Sequence, residues 1–221
     1  MIGPPSLVPL DKGGGKPRPI VFQESLLKLM TGSVVDANVT TLRSAAGVWQ
    51  KGVYDPGGAV DLVWELRDAM AANPTDVFTT IDCRNAFGEA FRNPALRTAH
   101  THAPTFGRLL HNLWHGTRCT IHIPDGPGTT HPIDVTNGFV QGGCEAAPGF
   151  ALALREILDE VEQAASRRGW KYRLWAYMDD IFLQCKPDDW AQLMELIASA
   201  LARAGLQCRP DNPLGYSSIA C

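Results

Sequence analysis

The sequence predicts an α+β fold, and three observations carry that prediction. Short β-prone runs at residues 18–22, 77–81, 172–177 and 181–185 alternate with stretches whose apolar residues recur at helical spacing. The last two runs are separated only by Met178-Asp179-Asp180, which specifies a tight antiparallel hairpin. Hydrophobic residues make up 45% of the 221 and charged residues 19%, a mixture that buries a core and excludes a disordered tail. One domain, or one and a half, fits that length. Strands, then helices, then a hairpin and a final helix give an antiparallel sheet with helices on one face.

Each element follows from its local chemistry. After a Pro-rich entry, 18–22 reads as a strand. From Glu24 to about Leu42, Leu26, Leu27, Met30, Val34, Val35 and Val39 fall at helical spacing. The turn Asp55-Pro56-Gly57-Gly58 precedes a helix over about 59–72, which Asn73-Pro74 stops. The strand at 77–81 ends at Asp82, and helical segments follow at about 94–102 and 104–115. Runs at 118–123 and 131–135 flank Pro-Asp-Gly-Pro-Gly, a hairpin signal. Residues 138–143 read as a flexible loop, and 148–168 as a long helix with a proline in its first turn. An amphipathic helix over about 188–204 stops at Gly205, whose freedom at positive φ suits a helix C-terminus.

Composition narrows the function classes. The formal net charge is −3, which argues against a nonspecific nucleic-acid coat. Residues 1–50 nevertheless carry Lys12, Lys16, Arg18, Lys28 and Arg43 against Asp11, Glu24 and Asp36, so a polyanion in one groove stays open. No run of about 18 apolar residues suggests a membrane span. The start lacks the basic and apolar regions of a secretory signal. A soluble intracellular protein is expected, in nucleus or cytoplasm. The six cysteines show no C-x-x-C spacing, and His111 and His115, at i and i+4, read as a surface pair rather than zinc ligands.

Tyr177-Met178-Asp179-Asp180 is the most informative tetrapeptide. Aspartates favour β-turns, which is one reading. The other is a cation site, because adjacent carboxylates repel and a divalent ion relieves that repulsion; Mg²⁺ needs only one or two carboxylates with water and substrate phosphates. Asp82 ends a second β-prone strand. If the two strands are neighbours, Asp82 and Asp179 would hold two metals roughly 3.5–4 Å apart, the arrangement that serves phosphoryl transfer.

These residues resemble the reverse transcriptase family. Tyr177-Met178-Asp179-Asp180 is similar to its Y-x-D-D motif, and 82–87 (Asp-Cys-Arg-Asn-Ala-Phe) to D-x-x-x-A-F. Lys16-Pro17-Arg18-Pro19-Ile20 resembles K-x-R-P-I, and Gln141-Gly142 the start of the Q-G motif, all in family order. The wording Asn85-Ala86-Phe87 is most similar to non-LTR retrotransposon polymerases. The resemblance implies a right-hand polymerase of fingers and palm, with an antiparallel palm sheet packed on helices. Residues 1–75 would be fingers-like, 104–136 partly inserted between fingers and palm, and 76–221 the palm.

It also implies roles. Asp82 and Asp179 would be the catalytic, metal-holding pair, with Asp180 a secondary carboxylate and the Cys83 carbonyl a further ligand. The cofactor would be two Mg²⁺ ions, with Mn²⁺ as a substitute. Arg18, with Lys12 or Lys16, would grip the incoming triphosphate, suiting arginine's bidentate fork. Phe87 would be the ring that blocks a ribose 2′-hydroxyl. Gln141 and Gly142 would lie against nucleotide and template, and Tyr177 and Met178 against the primer end. The partners would be an RNA template, a DNA primer and deoxynucleoside triphosphates, with no membrane.

Two departures qualify the resemblance. In Gln141-Gly142-Gly143-Cys144-Glu145-Ala146-Ala147-Pro148 the proline comes one residue later than in Q-G-x-x-x-S-P. No lysine follows Lys186, leaving Arg209 as a weak stand-in for a proton donor, and the palm is expected to lack a following thumb. The expectation is an RNA-directed DNA polymerase core, from a truncated or decaying retroelement. The alternatives are a catalytically idle palm that binds RNA or protein, and an RNA-dependent RNA polymerase.

Overall fold

A computed structural model describes residues 6–11, 17–115 and 120–208. Strands β1 (Ser6–Asp11) and β2 (Pro17–Phe22) open the chain, followed by helices α1 (Ser25–Ala37), α2 (Val39–Ala45) and α3 (Gly58–Ala72). β3 (Val77–Ile81) and β4 (Cys83–Arg84) are parted by Asp82 alone. The short α4 (Ala86–Glu89) leads to α5 (Arg92–His102) and α6 (Pro104–Trp114). Then come β5 (Thr120–Pro124), β6 (Thr130–Asp134), α7 (Ala146–Arg167), β7 (Tyr172–Tyr177), β8 (Asp180–Cys185), α8 (Pro187–Arg203) and β9 (Gln207–Cys208).

The central sheet runs β3-β8-β7, antiparallel throughout. Side chains alternate across it, as the pleat requires. Ile81, Leu174, Ala176, Ile181 and Leu183 face the main core with α7 and α8. Trp175, Phe78 and Phe182 point the other way and pack with Leu62, Leu66 and Ala69 of α3. The sheet is therefore covered on both faces, not on one. Two polar side chains fasten the layers: Trp190 Nε1 donates to Thr79 Oγ1 (3.0 Å), and Gln184 Nε2 donates to Ala69 O (3.2 Å) and Asp76 Oδ2 (2.9 Å).

α7 is the backbone of the core. Its first turns are buried all round, through Phe150, Ala151, Leu152, Ala153 and Leu154, as befits a helix enclosed by neighbours. Each large apolar side chain so enclosed contributes about 1.5–3 kcal/mol. Alanines 95, 99 and 103 let α5 lie close to its neighbours, and Gly107 of α6 meets the α5 backbone so tightly that an added Cβ would stand 3.1 Å from Ala99 C. A second sheet, β2-β1-β5-β6, joins the N-terminal strands to the 120–134 hairpin, and β4 pairs with β9.

Three local differences from the sequence reading have physical causes. The expected helix over 24–42 is two helices, because Asn38 ends α1: its Nδ2 donates to Val34 O (2.7 Å) and its backbone N–H to Val35 O (2.9 Å). The Pro-rich entry contains a strand, β1, which is made by its neighbours β2 and β5 rather than by propensity. The 138–143 loop is fastened rather than free. Gly138 N donates to Ala90 O (3.0 Å), Phe139 N to Phe87 O (2.6 Å), and Val21 N to Gln141 O (2.8 Å).

Candidate active site

The hairpin β7–β8 closes with Tyr177 opposite Asp180, leaving Met178 and Asp179 as a two-residue turn. Met178 has φ +55°, and Asp179 is not among the positive-φ residues. A positive φ at the first central position of a two-residue hairpin turn is ordinarily taken by glycine, asparagine or aspartate. For a residue with a Cβ the left-handed conformation costs about 1–2 kcal/mol. β8 is the middle strand, and its other neighbour pairs Ile81 with Ile181. Continuing that register by one residue sets Asp82 beside Asp180. Asp82, Asp179 and Asp180 thus lie at one end of the sheet. Asp82 and Asp179 are half-buried, and Asp180 is exposed.

The buried Cys83 thiol is pushed far up, first by its hydrogen bond with Cys208, then by burial, and then by the charges of Cys208, Asp82 and Asp179. Cys208, which lies opposite Cys83 in the β4–β9 pair, is lowered to about 7 by the same hydrogen bond.

Among the described residues no group of three or more carboxylate, histidine or cysteine side chains is placed to hold a metal ion. A magnesium site does not need three: one or two carboxylates suffice when water and substrate phosphates fill the rest of the shell. Asp82 and Asp179, at an open end of the sheet, supply that number and that chemistry.

Around this centre the other candidate residues are distributed unevenly. Tyr177 is exposed and Met178 half-buried beside it. Phe87, half-buried, stacks on Phe150 with ring centroids 4.5 Å apart, and Phe150 meets Phe139 edge-on at 6.0 Å. Gly142 has φ +112°, and a Cβ there would stand 2.4 Å from Val21 O, so the close approach this glycine permits is to the backbone of β2. Gln141 is half-buried, and its carbonyl takes the Val21 N–H. Arg18 stands on β2 opposite Leu10. Lys12, Lys16 and Arg209 lie outside the described residues.

One participant escaped the sequence reading. Residues 49–51 add to the open edge of β7 as a short parallel strand: Ala176 N donates to Trp49 O (2.8 Å), Lys51 N to Ala176 O (2.8 Å), and Gln50 bridges Ala176. The Gln50 side chain, 6% exposed, then turns into the hairpin. Its Oε1 accepts from Met178 N (2.8 Å) and Gly52 N (2.8 Å), and its Nε2 donates to Met178 O (3.2 Å). Gly52 makes room, since a Cβ there would stand 2.7 Å from Met178 N. Glu65 of α3 braces the same edge, taking Trp175 Nε1 (2.9 Å) and the Lys51 ammonium (2.7 Å), and those two bonds hold its carboxyl below the ordinary range, Lys51 contributing most. The signal for Gln50 was slight, a glutamine two residues before a glycine.

The family model described as "Reverse transcriptase (RNA-dependent DNA polymerase)" matches residues 10–211. Among solved structures, the fold is similar to telomerase from Candida albicans in complex with a TWJ fragment of telomeric RNA, with a TM-score of 0.68 and 9% identity over 96% of this chain and 42% of that one. It is also similar to apo telomerase from Candida tropicalis truncated from its C-terminal domain, with a TM-score of 0.69 and 12% identity over 95% of this chain and 49% of that one. The chain therefore spans less than half the length of either telomerase. No curated protein matches it in sequence. Among the described residues no helix is long and apolar enough to cross a membrane.

Proposed function

The chain belongs to the reverse transcriptase (RNA-dependent DNA polymerase) family, and from that premise we propose that it carries the catalytic core of an RNA-directed DNA polymerase, adding deoxynucleotides to a primer 3′ end. The observation that carries this reading is the β3–β8 register, which brings the backbone of Asp82 alongside Asp180 and the Met178-Asp179 turn at one end of the central sheet. Two Mg²⁺ ions held there would supply charge neutralisation on the triphosphate and a lowered pKa at the attacking 3′-hydroxyl.

The chain's own residues do the rest. Asp82 and Asp179 orient the two reacting oxygens, and Asp180 adds negative potential at the rim. The Cys83 carbonyl is a further oxygen ligand. Arg18, with Lys12 or Lys16, grips the triphosphate. Tyr177 and Met178 form the shelf for the primer end, and Gln141 and Gly142 the wall behind the nucleotide. Phe87, braced by Phe150, stands where a 2′-hydroxyl would clash. The template is RNA, a reading supported by the family and by the fold shared with an RNA-bound telomerase. The Asn85-Ala86-Phe87 wording supports a non-LTR retrotransposon origin.

Primer extension on an RNA template with Mg²⁺ or Mn²⁺ tests the proposal. D179N should lower the extension rate by about a hundredfold or more, since each lost 1.4 kcal/mol of transition-state stabilisation is tenfold. A native chain that extends nothing, or a D179N chain at the native rate, would overturn it.

A further inference from the structure

We propose that Gln50 is a positioning residue for Asp179: its carboxamide holds the Met178 peptide in the left-handed conformation that presents the next carboxylate toward Asp82. The role rests on the polymerase reading above. The hold itself rests on geometry alone.

The carboxamide and the turn are matched. A two-residue turn that holds a methionine at positive φ relaxes unless its surroundings over-determine it. Gln50 supplies that determination with two bonds to one residue, bridging the peptide units on either side of its Cα: it accepts from Met178 N at 2.8 Å and donates to Met178 O at 3.2 Å. Its own placement is fixed in turn. Gly52 N holds Oε1 at 2.8 Å, the backbone of Trp49 and Lys51 is paired to Ala176, and the residue is buried. The pattern needs a donor and an acceptor on one side chain: a carboxylate of the same size keeps the acceptor and loses the donor, and asparagine is one methylene shorter. Asp179 is the residue immediately after the clamped peptide, so rotation there swings its carboxylate away from Asp82 while leaving the β7–β8 ladder paired. Gln50 touches no reacting atom and acts through Met178.

The test pairs Q50A with M178G in the 221-residue chain, because glycine adopts positive φ without help. Measured in the Met178 background, Q50A should lower kcat for primer extension about tenfold or more while the deoxynucleotide KM stays within about threefold. Measured in the M178G background, the same substitution should lower kcat by less than about threefold. Amide exchange of Met178 should quicken about tenfold or more in Q50A, with Leu174 and Leu183 unchanged. Where Q50A fails to fold, Q50E takes its place. An equal loss of kcat in both backgrounds, or Met178 exchange unaltered by Q50A, overturns the proposal. If the native chain extends no primer, the polymerase reading falls alone. Met178 exchange and Mn²⁺ affinity then decide the role of Gln50, with a roughly tenfold weaker affinity in Q50A that M178G offsets as the supporting result, and an unchanged affinity as the refuting one.

Discussion

Glu145 lies at the entrance to α7 with 5% of its surface exposed, taking the Gln23 Nε2–H at 2.8 Å. Its second oxygen and the Gln23 carbonyl have no hydrogen-bond partner among the described residues. Burial, more than offsetting the Gln23 bond and the charge of Arg92, pushes its pKa above the ordinary carboxylate value. A carboxyl raised by folding contributes stability that is fully present below its unfolded pKa and lost as pH rises through the folded one. E145Q should therefore melt higher than the native chain at about pH 7, and the gap should close on descending toward about pH 4, as thermal unfolding across that range would register. Phe87 offers a second test at this scale. F87A should raise ribonucleotide relative to deoxynucleotide incorporation about tenfold or more, read from single-nucleotide extension. An unchanged ratio would reduce Phe87 to a stacking partner of Phe150.

Between elements, backbone groups are satisfied by single side chains or by glycines, and these are the sensitive joints. Arg155 of α7 reaches the C-terminal end of α2, where Nη1 donates to Ser44 O (3.2 Å), which also takes the Gly47 N–H (3.3 Å), and to Ala45 O (2.9 Å). R155A should cost about 1.5–3 kcal/mol, measured by urea unfolding, because bonds to a charged donor are the stronger class. Gly142 locks the motif loop against β2, whereas Gly128 in the β5–β6 turn, with φ +76°, has nothing within 4 Å of an added Cβ. Both substitutions to alanine strain the backbone by about 1 kcal/mol, but G142A also drives a methyl into Val21 O, and its loss should be about 2–3 kcal/mol larger in the same assay. The end of α8 follows the expected chemistry: Gly205 N bonds Ala202 O and Leu206 N bonds Leu201 O, the paired closure a left-handed glycine allows.

Across the whole molecule, what could be read from the sequence was whatever is written locally. The β7–β8 hairpin stood out because two apolar strands flank an Asp-Asp turn, and α7 and α8 because their periodicity runs long enough to average out. The segment at 49–52, the two-residue pairing of β4 with β9 and the strand β1 did not, because each is made by its partner and carries no period of its own. The candidate site divides the same way. The three aspartates were visible as residue types, but the register that sets Asp82 beside Asp180 was not, and Gln50 contributes through a contact spanning 128 positions.

That register has a kinetic price. β3 finds its sheet neighbour only when Ile81 meets Ile181, a hundred residues later in the chain. On a ribosome adding about 5–20 residues per second, the first aspartate waits roughly 5–20 s with an unpaired strand edge before the second is made. High contact order of this kind slows folding and leaves the nascent chain open to association with its copies, so expression yield should respond to chaperone supply more strongly than equilibrium stability does.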